Sequence, residues 1–388
     1  MTASGESERA RRVLVVEDRA NRPLGHFPNR FAELAEGLAV NGCAVEVLTS
    51  EGWLYDDGAA RVSFVVRRYE SFHRLLYRLG DALRHTRGLR RTASTLRTVA
   101  CVRAVRARCR DAGPPAPLVV VTSAGIDPLV ASSRGGNGRW LVAVSDEPEH
   151  PRSSVVGRAA RAEQRRRAAN GRMRIVASND NDRVQWEDVA AFLEPVTLPL
   201  AGIREVLRLA DAKARLGFDP DDKLALVFGT AREGKDLDVV ARAFAEMPDW
   251  VVVVAGTIAH DYRPRTGAPD TIVLGGFVDE VTRALVFSAA DVVVLSFCDG
   301  YARSSGVLAD AVSWGVPVVC SEGSPAATVV NEYRVGTVFA PGNPDALERA
   351  VRLAPAQLAP SDLARARAEL STTALAARLL SAAEPDAE

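Results

Sequence analysis

Short apolar runs alternate with helix-spaced segments along this chain, and the alternation starts afresh past residue 220. Val13-Leu14-Val15-Val16 is bounded by charge, as a strand buried on both faces is. Phe31, Leu34, Ala35, Leu38 and Ala39 come next at helical spacing, Asn41-Gly42 closes that helix, and Ala44–Leu48 is the next strand. Strand, helix, strand in this order demands a right-handed crossover and a parallel sheet. Further strands are expected at Val62–Val66, Leu118–Val121, Leu141–Val144, Ile175–Ala177 and Val196–Leu198, with long arginine-rich helices from about Tyr69 to Arg110.

The second series runs Leu224–Phe228, Val251–Ala255, Ile272–Leu274, Val292–Ser296, Val316–Cys320 and Val335–Phe339. A helix is expected over Leu237–Glu246, and Asn343-Pro344 reads as an N-cap followed by proline at the first helical position. A chain of 388 residues has room for two such units. The expected division is 1–200 and 201–363, with a joint near Leu200–Glu205 and a last helical run, about 364–388, returning to the first domain. Open parallel sheets bind ligands beyond the carboxyl ends of their strands. Two of them facing across a cleft would hold small molecules between them.

The formal net charge is zero, which argues against nucleic acid or an acidic polymer as partner. The zero hides an asymmetry. Residues 1–200 hold 31 arginines against 23 acidic residues, and the remainder holds 18 basic against 26 acidic. Solvated helix faces account for such a surplus, and so does an acidic lipid surface or anionic acceptor. The five cysteines form no C-x-x-C pair and no Cys/His cluster, which points to reduced thiols and a cytoplasmic setting. No apolar stretch near Met1 reads as a signal peptide, and no run reaches the roughly 18 residues of a membrane span. Membrane contact, if any, is expected to be peripheral.

Neither first strand leads into G-x-G-x-x-G, and no G-x-x-x-x-G-K-[ST] occurs, which removes nicotinamide and P-loop chemistry. The strand Leu224–Phe228 leads instead into Gly229-Thr230-Ala231-Arg232-Glu233-Gly234-Lys235-Asp236. Lys235 is one of three lysines in the chain. Fixed cations beside a helix N-terminus suit a phosphate-bearing ligand. A second stretch is Leu274-Gly275-Gly276-Phe277-Val278-Asp279-Glu280, where Asp279 also reads as a helix cap. A third runs from Ala290-Asp291 through Asp299-Gly300 to Ser304-Ser305-Gly306-Val307-Leu308-Ala309-Asp310-Ala311 and ends in Trp314-Gly315-Val316-Pro317-Val318-Val319.

Together these stretches resemble the donor domain of the retaining, family-4 glycosyltransferases with the GT-B fold. The resemblance is specific over about 225–340 and topological before that. It implies two Rossmann-like domains and a nucleotide-diphosphate sugar as co-substrate, with no further cofactor and no metal. It implies that Arg232 and Lys235 meet the diphosphate as the catalytic pair, with Gly229 and Thr230 in the same turn. Gly25, after the first strand, stands where members carry a glycine turn near the phosphates. Phe277 and Val278 fall where the backbone meets the base. Ser304, Ser305 and Gly306 open a helix toward the anion, and Asp310 takes the position of the acid that accepts from the ribose.

The chain departs from the family at the first of its two acids, where Ala302 stands, with Asp299 three residues earlier. That departure keeps open a catalytically idle nucleotide-sugar-binding or partner protein beside the transferase; a sugar-nucleotide epimerase is a further alternative. On the acceptor side, His26, Asp127, Asp146, Glu147, Glu149 and His150 fall near strand ends. Asp180-Asn181-Asp182 fits D-x-D, and helix capping explains it better than a metal. The donor sugar, its base and the acceptor, whether lipid carrier, glycan or small metabolite, are not written in these motifs.

Overall fold

The computed structural model describes residues 10–17, 27–50, 64–68, 70–83, 86, 90–121, 140–144, 155–177, 190–192, 207–231, 234–257, 271–276, 278–301 and 305–384. Two compact units divide the chain. The first comprises Met1–Val196 with Thr372–Glu388, and the second Thr197–Ser371.

The first unit contains β1 (Arg12–Glu17), α1 (Phe27–Val40), β2 (Ala44–Thr49), β3 (Phe64–Arg68), α2 (Ser71–Leu83), α3 (Arg90–Asp111), β4 (Leu118–Val121), β5 (Trp140–Val144), α4 (Val155–Ala169), β6 (Met173–Ala177) and β7 (Ala190–Phe192). The seven strands are all parallel, in the order β3-β2-β1-β4-β5-β6-β7. Leu14 and Val16 face the layer of α2 and α3, and Val13 and Val15 face α1. The helix Thr372–Ala382, from the far end of the chain, completes that second layer with Ala376 and Leu379. It lies so close to α1 that a Cβ on Gly37 would stand 2.6 Å from the carbonyl oxygen of Thr372.

The second unit holds α5 (Leu209–Arg215), β8 (Lys223–Phe228), α6 (Leu237–Ala245), β9 (Trp250–Gly256), β10 (Thr271–Gly275), α7 (Glu280–Ala289), β11 (Val292–Leu295), α8 (Gly306–Trp314), β12 (Val318–Ser321), α9 (Pro325–Tyr333), β13 (Gly336–Phe339), α10 (Pro344–Gln357) and α11 (Pro360–Glu369). The helix Thr372–Ala382 is therefore α12. Six parallel strands run β10-β9-β8-β11-β12-β13, so the order reverses at β8 and β11. At such a switch point crossover helices leave in opposite directions and open a crevice above the strand ends. One helix layer packs Phe287, Leu308, Val312 and Tyr333 against the sheet, and the other packs Val240, Phe244, Leu347 and Val351. Lys213, buried in α5, reaches Asp291 at 2.9 Å, and Asp291 also accepts from the Leu224 amide at 2.8 Å.

Three expectations need correction, and one strand was not expected. The strand expected at Val62–Val66 lies at Phe64–Arg68. It is an edge strand whose Val65, Val66, Arg67 and Arg68 are all exposed, so no hydrophobic alternation marks its ends. β12 starts at Val318, because the Val316 amide is spent closing α8 on Ala311 and Pro317 has no amide to pair. The last helical run, expected over about 364–388, belongs to two helices broken at Leu370-Ser371, with Leu370 buried in one unit and Leu379 in the other. The strand that pairs with β6 is the three-residue Ala190–Phe192, too short to show a period; the run Val196–Leu198 lies outside the described residues.

Candidate functional site

The carboxyl ends of β8 and β11 carry the site. β8 ends at Phe228, and Gly229 turns the chain with φ +92°, a conformation that favours glycine. The Gly229 amide donates to Ala255 O at 2.8 Å and the Ala231 amide to Thr257 O at 2.8 Å, so the turn stays tied to the end of β9. The chain then returns. Lys235 pairs with Phe297 in an antiparallel bridge, the Asp236 amide donates to Ser296 O at 3.1 Å, and the Cys298 amide donates to Gly234 O at 3.1 Å. Ser296 Oγ donates to Asp236 O at 2.6 Å. These bonds lay the segment 234–236 along the segment 296–298 that leaves β11.

This return aims the Lys235 side chain back at the strand before it. Its Nζ donates to Phe228 O at 2.7 Å. A Cβ placed on Gly229 would stand 3.4 Å from that Nζ and 3.6 Å from Val307 Cγ2. Gly229, Lys235 and the first turn of α8 therefore meet at one spot. The first amides of a helix have no intrahelical partners. Ser305 caps α8 and its Oγ accepts from the Leu308 amide at 3.4 Å, while Gly306 stands at the entrance. A fixed ammonium beside the positive end of a nine-residue helix is an arrangement for an anion.

The neighbouring loop is held by ring stacking. Tyr301 lies parallel to Phe297, with centroids 4.1 Å apart and 2° between planes. A Cβ on Gly234 would come within 3.2 Å of the Tyr301 ring, so glycine there gives Tyr301 room. Asp299 is exposed in the turn at Gly300, whose φ is +74°. Thr230 is exposed beside Gly229. Val278 is half-buried against the core, and Asp279 caps α7 by accepting from the Thr282 amide at 2.7 Å. That amide bond holds the Asp279 carboxyl below the usual carboxylate range.

Asp310 occupies different surroundings. It lies on α8 at 1 % exposure, and its Oδ1 accepts from Arg283 Nη2 of α7 at 2.5 Å. The Arg283 guanidinium also bonds Glu280 at 3.1 Å and lies 5.1 Å above the Trp314 ring. Trp314 stacks on Phe287, and Phe287 packs against Phe228, the last residue of β8. Any ribose contact would share the Asp310 carboxylate with Arg283.

The structure thus brings together Gly229, Lys235, Ser305 and Gly306, with Thr230 and Asp299 exposed on loops at the same strand ends. Asp310 is placed one helical turn farther into the core. Arg232, Phe277, Ser304 and Gly25 lie outside the described residues, as do Ala302, Asp180–Asp182 and the acceptor-side His26, Asp127, Asp146, Glu147, Glu149 and His150. Arg283 and the Phe297–Tyr301 stack were not expected from the sequence. An arginine within the apolar stretch Val281–Ala290 was the only written signal of the first. Among the described residues no three His, Cys, Asp or Glu side chains gather as metal ligands.

Residues 210–357 match the family model of glycosyl transferases group 1. No curated protein matches the chain. Among solved structures, sucrose-phosphate synthase from Thermosynechococcus elongatus is similar at 16 % identity and a TM-score of 0.67, covering 96 % of this chain and 98 % of that one. A glycosyltransferase from Rickettsia africae is similar at 11 % identity and a TM-score of 0.65, covering 97 % and 98 %. Anabaena HepE in complex with UDP and glucose is similar at 14 % identity and a TM-score of 0.63, covering 95 % and 98 %. The two parallel-sheet units are thus those of the GT-B fold, and residues 210–357 match glycosyl transferases group 1.

Proposed function

We propose that the chain is a glycosyltransferase that moves a hexose-type sugar from a nucleotide-diphosphate donor, held by the second unit, to an acceptor hydroxyl. The observation that carries this reading is the meeting of Lys235 Nζ, Gly229 and the first turn of α8 at the switch point between β8 and β11. Glycine leaves backbone-close space there, and the ammonium and helix end supply positive potential where a diphosphate leaving group gains charge. The family match over 210–357 covers this region, and HepE, similar in fold, was solved with UDP and glucose.

In this reading Arg232 and Lys235 hold the diphosphate, with amides of Ser304–Gly306 completing the cradle. Phe277 and Val278 border the base, Asp310 accepts from the ribose while Arg283 fixes its orientation, and Asp299 faces the sugar. The acceptor oxygen bonds to the anomeric carbon as the bond to the diphosphate breaks, the nucleoside diphosphate departs, and its phosphate oxygen takes the acceptor proton. We assign retention of configuration and metal independence on the family resemblance, with Lys235 and the helix end doing the charge work a cation would otherwise do. The fold-level likeness to sucrose-phosphate synthase and HepE does not specify the acceptor.

A thermal-shift series with UDP, GDP, TDP and ADP tests the reading. A ligand at about a hundred times its Kd stabilises the folded form by about 2.7 kcal/mol, enough to raise Tm by several degrees. We expect one base to stand out and Lys235→Ala to cut its shift by about half or more. The corresponding nucleotide sugar should then turn over with an acceptor panel. Binding without turnover of any donor would favour an idle nucleotide-sugar-binding protein, and no shift with any nucleotide would overturn both.

A further inference from the structure

Helix α2 carries two apolar faces. One is spent on the fold. Tyr77 is buried in the core with Leu76 packed beside it, and a Cβ on Gly80 would stand 2.7 Å from the Ala93 carbonyl oxygen of α3. The other face presents Phe72, Leu75 and Leu79 at i, i+3 and i+7, and these are 57 %, 64 % and 50 % exposed. Three large apolar side chains on one stripe of a 13-residue helix are not the scattered exposure ordinary for a protein surface.

The charge around the stripe says what covers it. Arg74 and Arg78 lie along one flank. From Arg67 to Arg110 the sequence holds thirteen arginines against Glu70 and Asp81, with no lysine; Arg108 of α3 is spent on Glu46, while Arg67 and Arg68 of β3 are exposed. An apolar stripe edged with cations is the makeup of a helix that lies in the boundary between headgroups and acyl chains of an anionic bilayer. A protein partner fits less well. Such a partner would have to match the arginine excess with acids of its own. At about 1.5 Å per residue α2 spans roughly 20 Å, too short to cross a hydrocarbon core of about 30 Å, so it would lie in the surface.

We propose that the α2 face Phe72–Leu75–Leu79, with its flanking arginines, docks the first unit on an anionic phospholipid surface. This inference is independent of the reading of the second unit. It is tested by sedimenting the full chain with phosphatidylcholine vesicles, alone or with about a third phosphatidylglycerol. The chain is expected to pellet with the anionic vesicles, to stay in solution with the neutral ones, and to be released by high salt. Leu75→Glu and Phe72→Ser should each weaken vesicle binding about tenfold or more while leaving Tm and the nucleotide response of the second unit unchanged. Failure to pellet, equal pelleting with neutral vesicles, or binding untouched by either variant would overturn the proposal. So would a concentration-dependent dimer that Leu75→Glu dissolves in the absence of lipid.

Discussion

Arg283 Nη2 stands 2.5 Å from Asp310 Oδ1, and the two side chains are 6 % and 2 % exposed. The pair joins α7 to α8 beneath the site, with the Trp314 ring under the guanidinium. Removing one partner of a buried pair strands the other charge, whereas apolar replacement of both avoids that cost. Arg283→Met should therefore destabilise the protein by about 3–5 kcal/mol, and Arg283→Met with Asp310→Leu should recover most of the loss. Urea unfolding of the two variants measures both. Equal stability of the single variant and the parent would remove the pair from the account of the fold.

Lys235 Nζ donates a hydrogen bond to Phe228 O, and losing that bond in Lys235→Ala should cost about 1 kcal/mol of stability. The effect on a bound diphosphate should be larger. Loss of one charge-assisted contact weakens nucleotide binding about tenfold or more, and loss of transition-state charge stabilisation lowers the transfer rate by about 10²–10³. Calorimetric titration with the nucleotide chosen by thermal shift, and then single-turnover rates, separate the two effects.

Gly256 ends β9 with φ +141°, and a Cβ there would fall 2.3 Å from Gly229 O. The obstacle is backbone, which cannot swing aside. Gly256→Ala should cost about 3 kcal/mol and displace the Gly229 turn, so nucleotide affinity should fall along with Tm. A variant that loses stability but keeps full nucleotide affinity would detach the Gly229 turn from the ligand.

Burial pushes the Cys320 thiol up to about 12. Its folded-state value lies above the ordinary thiol value of 9.0, so this group favours the fold below about pH 9. That contribution fades as pH rises from 9 toward 12. Cys43 and Cys109 are also raised by burial, and Cys298 is the exposed cysteine. Maleimide labelling of the native protein near neutral pH, read by mass spectrometry, should modify Cys298 first and leave Cys320 untouched until the chain unfolds.

Much of the architecture was legible because buried parallel strands are written as dense valine runs. Leu224–Phe228, Val292–Leu295 and Leu118–Val121 lie where their apolar runs stand. Asn343 caps α10 by accepting from the Ala346 amide, as its place before Pro344 foretold. Legibility failed where side chains stop reporting burial. β3 is exposed on both faces, and β7 has three residues. At the site, the glycines and Lys235 stood out by type and rarity. What lay beyond the sequence was the pairing of Arg283 with Asp310, 27 residues apart, because only the packing of two helices creates it. Nor does a linear sequence show the Lys235–Phe297 bridge, which turns the cation back toward its own strand.

The last helix, α12, seats Ala376 and Leu379 in the same layer as Val13, Val15 and Leu34. Translation reaches these residues only after β1–β7 have been made, so until then α1 alone, among the described residues, covers that side of the first sheet. Truncation shortly before Thr372 should thus yield a product whose first unit aggregates, although each of its own strands is intact. The natural recombinant fragment is therefore about 197–371, while residues 1–196 need the segment 372–388 to fold with them.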